Sequence, residues 1–200
     1  MRQRSPRGIT FVLGGARSGK SCFAQRIAAE HKRVSFIATA TASDPEMEQR
    51  IERHRQGRPH EWQTLEVPTG LDMAISSLGH ETELAIIDCL TLYLANVMDQ
   101  EQSRVVQIEE HMQRFCAALE DAHVPIVVVS NEVGSGVHAT TATGRLFADL
   151  LGSLNQRVAA LSENVIMMMA GIPVLIKGRV PSLSCESERT EPSRTAGLGV

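Results

Sequence analysis

The stretch Gly14–Ser21, GGARSGKS, carries the residues with the plainest chemical meaning in the chain. It matches the pattern G-x-x-x-x-G-K-[ST] of a phosphate-binding loop, in which glycines let several backbone N–H groups point inward at a phosphate chain. In such a loop the lysine, here Lys20, reaches the β and γ phosphates, and the hydroxyl of Ser21 holds Mg²⁺. A chance glycine turn is the alternative. The residues predicted to contact nucleotide here are Gly14, Gly15, Ala16, Arg17, Ser18, Gly19, Lys20 and Ser21.

The elements on either side are those that a phosphate-binding loop requires. Ile9–Leu13 is an apolar run that predicts a buried strand, and Cys22–Glu30 places Phe23, Ile27 and Ala28 on one face of a helix. The N-terminus of that helix would add its positive dipole end at the loop. This context favours a phosphate loop over a chance turn.

Apolar strands and amphipathic helices alternate along the rest of the chain. The other predicted strands are Val34–Ala40, Trp62–Val67 at a sheet edge, Leu84–Asp88, Pro125–Ser130, Val165–Met169 and Val174–Ile176. One further helix is predicted to start at a capping box over Ser43–Glu46 and to stop at Gly57. The other predicted helices span Leu71–Leu78, Leu90–Val97, Arg104–Ala122 and Gly144–Leu161. The alternation predicts an α/β fold with a mostly parallel sheet covered by helices on both faces. Ligands then bind beyond the carboxyl ends of the strands.

Length and composition favour one enzyme-sized domain. A chain of 200 residues that is 42% hydrophobic can bury a sizeable core, which we place at residues 1–177, followed by a polar tail at 178–200 that we expect to be disordered. The net charge of −3 gives no sign of a nucleic-acid partner. No apolar run approaches the roughly 18 residues of a membrane span, and the four cysteines lack paired C-x-x-C spacing, which is typical of a reducing cytoplasm.

Asp88 ends a buried strand after the phosphate loop. P-loop proteins place at this point the acid that orients Mg²⁺ or a water in its shell. An acid that caps the following helix is the alternative. The loop Asn131–Gly136 also follows a strand and should face the same crevice, where Glu132 could contact nucleotide, substrate or a neighbouring subunit, although its glycines could simply make a turn.

The segment Arg50–Pro59, RIERHRQGRP, surrounds His54 with four arginines. From the charge pattern alone, a solvated helix face is the simpler interpretation. Near a triphosphate, however, arginines would grip anionic oxygens in a bidentate fork and would keep His54 neutral. A neutral imidazole beside a clamped phosphate can act as a nucleophile or a base.

Several stretches together resemble one family. They are GGARSGKS, Ile37–Ala40, Glu46-Met47, R-I-x-x-H-R-x-x-R-P from Arg50 to Pro59, Trp62 with Glu66, NEVGSG at Asn131–Gly136, and Gly152 with Asn155-Gln156. From about Ile9 to Lys177 the chain resembles the bifunctional adenosylcobinamide kinase / adenosylcobinamide-phosphate guanylyltransferases of cobalamin biosynthesis. The order and spacing of the motifs carry the resemblance, since the phosphate loop alone is not specific. The resemblance implies a P-loop NTPase-like fold and a homotrimer.

The resemblance also implies two reactions. ATP or GTP first phosphorylates the aminopropanol hydroxyl of adenosylcobinamide, and GMP from GTP is then transferred to that phosphate through a covalent guanylyl-histidine. By motif match the nucleophile is His54, with Lys20 as the other catalytic residue. The implied nucleotide contacts outside the phosphate loop are Ala38, Thr39, Ala40, Arg55, Gln56, Gly57, Arg58, Glu66 and Asp88, and the implied Mg²⁺ ligands are Ser21 and Asp88.

Two positions depart from the family pattern. Ala139 stands where proline is common, and Ala148 stands where an arginine is common. A missing arginine could remove a contact to substrate, nucleotide or another subunit and slow one half-reaction. Two other functions remain open on the sequence: a monofunctional P-loop kinase of another small alcohol, with His54 on the surface, and a nucleotide-binding regulatory protein.

Overall fold

A computed structural model describes residues 8–41, 45–134, 136 and 139–181. Within the second helix it does not describe the side chains of Pro45, Glu46, Met47, Arg50, Arg53 and His54. Other predicted features also lie outside the described residues. They are part of the capping box, Ser135 of the glycine-rich loop, and the tail from residue 182 onward, which includes Cys185. The backbone N–H of Arg179 donates to Asn164 Oδ1 at 2.8 Å, so folded contacts continue at least to that residue.

Seven strands and six helices alternate over the described part of the chain. The strands are β1 (Ile9–Gly14), β2 (Val34–Ala38), β3 (Gln63–Glu66), β4 (Leu84–Asp88), β5 (Ile126–Val129), β6 (Asn164–Met169) and β7 (Ile172–Lys177). The helices are α1 (Lys20–Ala28), α2 (Pro45–Gln56), α3 (Leu71–Ser76), α4 (Leu90–Gln100), α5 (Val105–Asp121) and α6 (Ala142–Leu161). Every predicted element is present, with shifts of a few residues at the ends.

All seven strands form one sheet in the order β3-β2-β4-β5-β1-β6-β7. The first six pair in parallel and β7 runs antiparallel to β6, which confirms the prediction of a mostly parallel sheet. The register places Ala38 opposite both Glu66 and Asp88, and Asp88 opposite Val129. The ends of β3, β2, β4 and β5 therefore form one level, which we call the carboxyl edge.

Two apolar layers cover the sheet. On one face, Phe23 and Ile27 of α1 pack with Phe36 and Trp62. On the other face, α3, α4, α5 and α6 pack over residues such as Phe11, which is fully buried. Because both faces are covered, the central strands read as continuous apolar runs rather than alternating ones. Among the described residues, none of the helices is long and apolar enough to cross a membrane.

The final strand is longer than predicted and forms a hairpin with β6. The prediction had a short final strand at Val174–Ile176, but β7 is longer and turns straight back on β6. The turn consists of Ala170 and Gly171, whose φ angles of 49° and 83° are both left-handed. This is the geometry that suits a two-residue hairpin. Trp62, predicted within a strand, instead precedes β3 and is buried in the α1-side core.

Replacing Phe115 with alanine tests the larger core. Phe115 of α5 is fully buried, and its ring lies 5.7 Å from that of Tyr93. Phe115→Ala should lower the free energy of unfolding by about 3 to 5 kcal/mol, because it removes buried area and leaves a cavity. The control is Met73→Ala, since Met73 is 75% exposed. Urea unfolding of both variants gives the measurement, and equal midpoints would contradict the packing described.

Candidate active site

The phosphate loop connects β1 to α1, and Lys20 points into it. Lys20 is only 7% exposed. Its Nζ donates to the carbonyl oxygen of Gly15 at 2.5 Å and lies 3.4 Å from Ser18 Oγ. The ammonium group is therefore directed at the interior of the loop, which is where the oxygens of a bound phosphate chain would lie.

Neighbouring segments fix the loop from outside. The N–H of Gly171, in the β6–β7 turn, donates to Ser18 O at 3.1 Å, and the N–H of Glu132 donates to Gly14 O at 3.1 Å. A Cβ added to Gly14 would lie 2.5 Å from the backbone oxygen of Met168. The position therefore requires glycine because β6 passes too closely for any side chain.

Ser21 and Asp88 face the same side of the sheet. Ser21 is the second residue of α1, and Asp88 is the half-buried last residue of β4. Ile86 belongs to the α1-side core and Ile87 to the opposite one, so alternation places Asp88 on the α1 side. Since β5 lies between β4 and β1, Asp88 stands two strand spacings, about 10 Å, from the phosphate loop.

That separation suits a Mg²⁺ ion bound by the Ser21 hydroxyl, with Asp88 acting through a water in its shell. The chemistry of the donors fits as well, since Mg²⁺ prefers oxygen ligands and keeps several waters beside phosphate oxygens. Groups of three or more His, Cys, Asp or Glu side chains that could bind a metal by themselves do not occur in the described part of the chain.

Arg58 lies close enough to Asp88 for their charges to interact, and its surroundings are unusual. Its guanidinium carbon lies 3.6 Å from the centre of the Phe36 ring, and its Nη1 lies 3.5 Å from Thr64 Oγ1. Burial lowers the pKa of Arg58, while the carboxylates of Asp88 and Glu66 oppose that shift. Its Nε is buried and has no hydrogen-bond partner among the described residues. A guanidinium with an open donor is suited to an anionic oxygen.

Thr39 connects three elements at the carboxyl edge. Its fully buried hydroxyl donates to Cys89 O at 2.7 Å and accepts from Cys89 N at 2.8 Å. Asn96 Nδ2 donates to Thr39 O at 2.8 Å and to Pro68 O at 3.1 Å. The hydroxyl is thus engaged within the protein, and a nucleotide contact by Thr39, like those of Ala38 and Ala40 beside it, stays a prediction.

His54 lies in the last part of α2, and its side chain is not described. Arg55, Gln56 and Gly57, which follow it, are exposed. Glu66 ends β3 and is exposed at the carboxyl edge. The structure therefore brings Arg58, Glu66 and Asp88 to one end of the sheet, and the role of His54 stays a prediction.

Asn131 is held by side chains that the sequence did not single out together. Its N–H donates to Thr91 Oγ1 at 3.0 Å, and its carbonyl accepts from Asn155 Nδ2 at 3.1 Å. The neighbouring Ser130 Oγ and Asn155 Oδ1 are buried without a hydrogen-bond partner among the described residues. Asn131 follows β5, the strand between the phosphate loop and Asp88, so α4 and α6 fix the backbone at the centre of the site.

Comparison with known proteins shows one family over most of the chain. The family model for cobinamide kinase / cobinamide phosphate guanyltransferase matches residues 10–176. The chain is 39% identical to a bifunctional adenosylcobalamin biosynthesis protein, CobP, of Pseudomonas aeruginosa over 169 residues, which cover 84% of this chain and 96% of that protein. It is 36% identical to the corresponding CobU protein of Escherichia coli over 180 residues, which cover 84% of this chain and 99% of that one.

Solved structures support the fold alone. The RadB recombinase superposes with a TM-score of 0.51 at 17% identity, covering 90% of this chain and 86% of that one. A type III secretion ATPase gives a TM-score of 0.56 at 9% identity, covering 82% of this chain and 51% of that one. These likenesses and the mostly parallel sheet with helices on both faces confirm the predicted fold class.

A pair of glycine substitutions tests the geometry of the loop. Gly14→Ala should lower the free energy of unfolding by about 1 to 3 kcal/mol, because the new methyl group collides with the backbone of β6. Gly15→Ala is the matched control, since nothing lies within 4 Å of a Cβ built there. Chemical unfolding compares the two. If Gly14→Ala is no less stable than Gly15→Ala, the close approach to Met168 is wrong.

Proposed function

The chain belongs to the cobinamide kinase / cobinamide phosphate guanyltransferase family, and on that premise we propose that it phosphorylates adenosylcobinamide with ATP or GTP and then transfers GMP from GTP to the new phosphate. The observation that carries the proposal is the buried Lys20 inside a braced phosphate loop, on the same face of the sheet as Asp88. Lys20 and Asp88 both lie within residues 10–176, the part of the chain that matches the family model.

In the first reaction the aminopropanol hydroxyl attacks the γ phosphorus and the nucleoside diphosphate leaves. Lys20 and the backbone N–H groups of the loop stabilise the charge that moves onto the β and γ oxygens. Mg²⁺, held by Ser21 and through a water by Asp88, would neutralise part of that charge when bound. The bond from Gly171 to Ser18 keeps the loop in position for this role.

In the second reaction an imidazole nitrogen of His54 attacks the α phosphorus of GTP and expels pyrophosphate. The phosphoramidate that forms is then attacked by the phosphate of adenosylcobinamide phosphate, which gives adenosylcobinamide-GDP and frees the histidine. The motif R-I-x-x-H-R-x-x-R-P supports His54 as the nucleophile. Arg58 supports the proposal, because its open Nε and its place beside Asp88 suit it to hold an oxygen of the triphosphate.

We propose the cytoplasm as the location and a homotrimer as the assembly. The support for self-association is β7, an edge strand on which Ile172, Val174, Leu175 and Ile176 are all at least 40% exposed. An exposed apolar edge strand favours pairing with another chain. Light scattering should give three times the chain mass of 21.8 kDa. A monomer at micromolar concentration would contradict the trimer.

Lys20→Ala should lower kcat/KM of the kinase reaction by at least about 100-fold, because it removes a charge aimed at the transferred phosphate. Lys32→Ala is the control, since Lys32 is exposed near the opposite end of α1. The measurement is phosphate transfer to cobinamide at subsaturating ATP. Wild-type turnover by Lys20→Ala would refute the role of the loop. Nucleotide binding without any phosphate transfer by the wild type would favour a regulatory protein.

His54→Ala should abolish covalent labelling by GTP that carries the label in its α phosphate, while kinase activity survives at least in part. His54→Asn is closer in shape and should fail equally, because a carboxamide is a very poor nucleophile. The control is His60→Ala, an exposed histidine after α2. Labelling should be labile in acid and stable in base. Acid-labile GMP on either His54 variant would move the nucleophile elsewhere, and absence of labelling in the wild type would favour the monofunctional kinase.

A further inference from the structure

An open cavity of about 510 Å³ lies between the C-terminal part of α4 and the N-terminal part of α6. Ala95, Met98 and Phe147 form its apolar side. The polar residues around it are Asp99, Gln102, Ser103, Thr141 and Thr143. Neither the phosphate loop nor Asp88 or Arg58 contributes to this lining, so the cavity is separate from the nucleotide crevice.

The lining excludes one class of ligand and favours another. It contains one carboxylate, Asp99, and no lysine, arginine or histidine, so it does not suit a phosphate group. The side chains of Gln102, Ser103 and Thr143 have no hydrogen bond to the described part of the protein, which leaves their donors and acceptors available. An apolar surface bordered by hydroxyl and amide groups suits a neutral or cationic ligand that is largely apolar and carries carboxamides.

The walls of the cavity are fixed before any ligand binds. Ser103 N donates to Met98 O at 2.8 Å and closes α4. The opposite wall begins at Thr141, whose hydroxyl accepts from Gly144 N at 3.0 Å. Arg145 Nη1 donates to the carbonyl oxygens of Ala139 and Thr140, at 3.1 Å and 3.0 Å. A ligand would therefore meet a preorganised surface, which lowers the entropic cost of binding.

The lengths of α4 and α6 show how far the cavity lies from the carboxyl edge of the sheet. Met98 lies eight residues after Leu90, the first residue of α4, which is about 12 Å along the helix from the end of β4. Gly144 lies eleven residues before Asn155, which bonds to Asn131 at the end of β5, and this is about 16 Å along α6. Because α6 leads to the start of β6, its first turns project beyond the carboxyl edge.

We propose that this cavity binds the corrinoid acceptor, an inference that rests on the proposed function. One edge of the macrocycle lies against Met98 and Phe147, its carboxamides bond to Gln102, Ser103 and Thr143, and Asp99 complements the positive charge at cobalt. The amide-linked aminopropanol arm extends about 8 Å from the ring. The arm covers about half to two thirds of the 12 to 16 Å measured along α4 and α6, so the edge of the macrocycle that carries it must face the carboxyl edge.

Thr143→Trp tests the proposal, because the indole would fill the cavity from its rim. The control is Thr140→Trp, an exposed neighbour that does not line the cavity. The first measurement is equilibrium dialysis of cobinamide, detected by its absorbance, with a non-hydrolysable ATP analogue present. We expect Thr143→Trp to weaken cobinamide binding at least tenfold and Thr140→Trp to leave it unchanged. Equal binding by the two variants, or no binding by the wild type, would overturn the proposal.

Turnover separates this inference from the proposed function. In Thr143→Trp the KM for cobinamide should rise at least tenfold, while the KM for ATP and the covalent labelling by GTP stay at wild-type values, since neither involves the corrinoid. Gln102→Ala should produce a smaller rise of the same kind. Wild-type binding of cobinamide without phosphate transfer would remove the proposed function and retain the cavity as a corrinoid site. A change of assembly mass in Thr143→Trp with an unchanged KM for cobinamide would assign the cavity to a subunit contact and overturn the proposal.

Discussion

Burial of the sheet on both faces is the constraint on which the rest of this structure depends. The described residues of β1, β2 and β5 are buried throughout, so these strands expose no polar group to a ligand along their length. Polar groups that a ligand could reach lie where the strands end, and the parallel register brings those ends to one level. Asp88 and the phosphate loop therefore meet at the carboxyl edge because the interior excludes them, and α4 and α6 rise from the same edge to enclose a second, less polar space.

Within that frame the phosphate loop is held by neighbouring segments as well as by bonds within the loop. Backbone bonds from Gly171 and Glu132 brace it on two sides, and the approach of Met168 leaves no room for a side chain at Gly14. The buried ammonium group of Lys20 meets a neutral carbonyl oxygen of the loop. A phosphate oxygen in the loop would be a charged acceptor, and hydrogen bonds to charged acceptors are stronger than those to neutral ones.

Local patterns predicted what is local. The phosphate motif, the apolar runs and the helical periodicities placed every strand and helix, since each depends on residues near one another in the chain. Strand order and the antiparallel direction of β7 could not be predicted in this way, because they depend on pairing across the sheet. The glycine at position 171, in the two-residue turn with Ala170, could have indicated a hairpin between β6 and β7. The hydrogen bonds that position the site, from Thr91 and Asn155 to Asn131, join residues 40 and 24 positions apart, and such contacts produce no periodic pattern in the sequence. The cavity between α4 and α6 could not be predicted for the same reason.

The central claim is that one chain performs two successive transfers, first of a γ phosphate and then of GMP. Isotopic labelling of the product tests it most directly: the wild-type protein is incubated with cobinamide and with ATP and GTP that both carry ¹⁸O in the γ phosphate, and the product is fragmented in a mass spectrometer. We predict that the phosphate next to the aminopropanol carries the label and that the non-bridging oxygens of the phosphate next to guanosine do not. An unlabelled phosphate next to the aminopropanol, as transfer of both phosphates of GDP in one step would give, would contradict the claim.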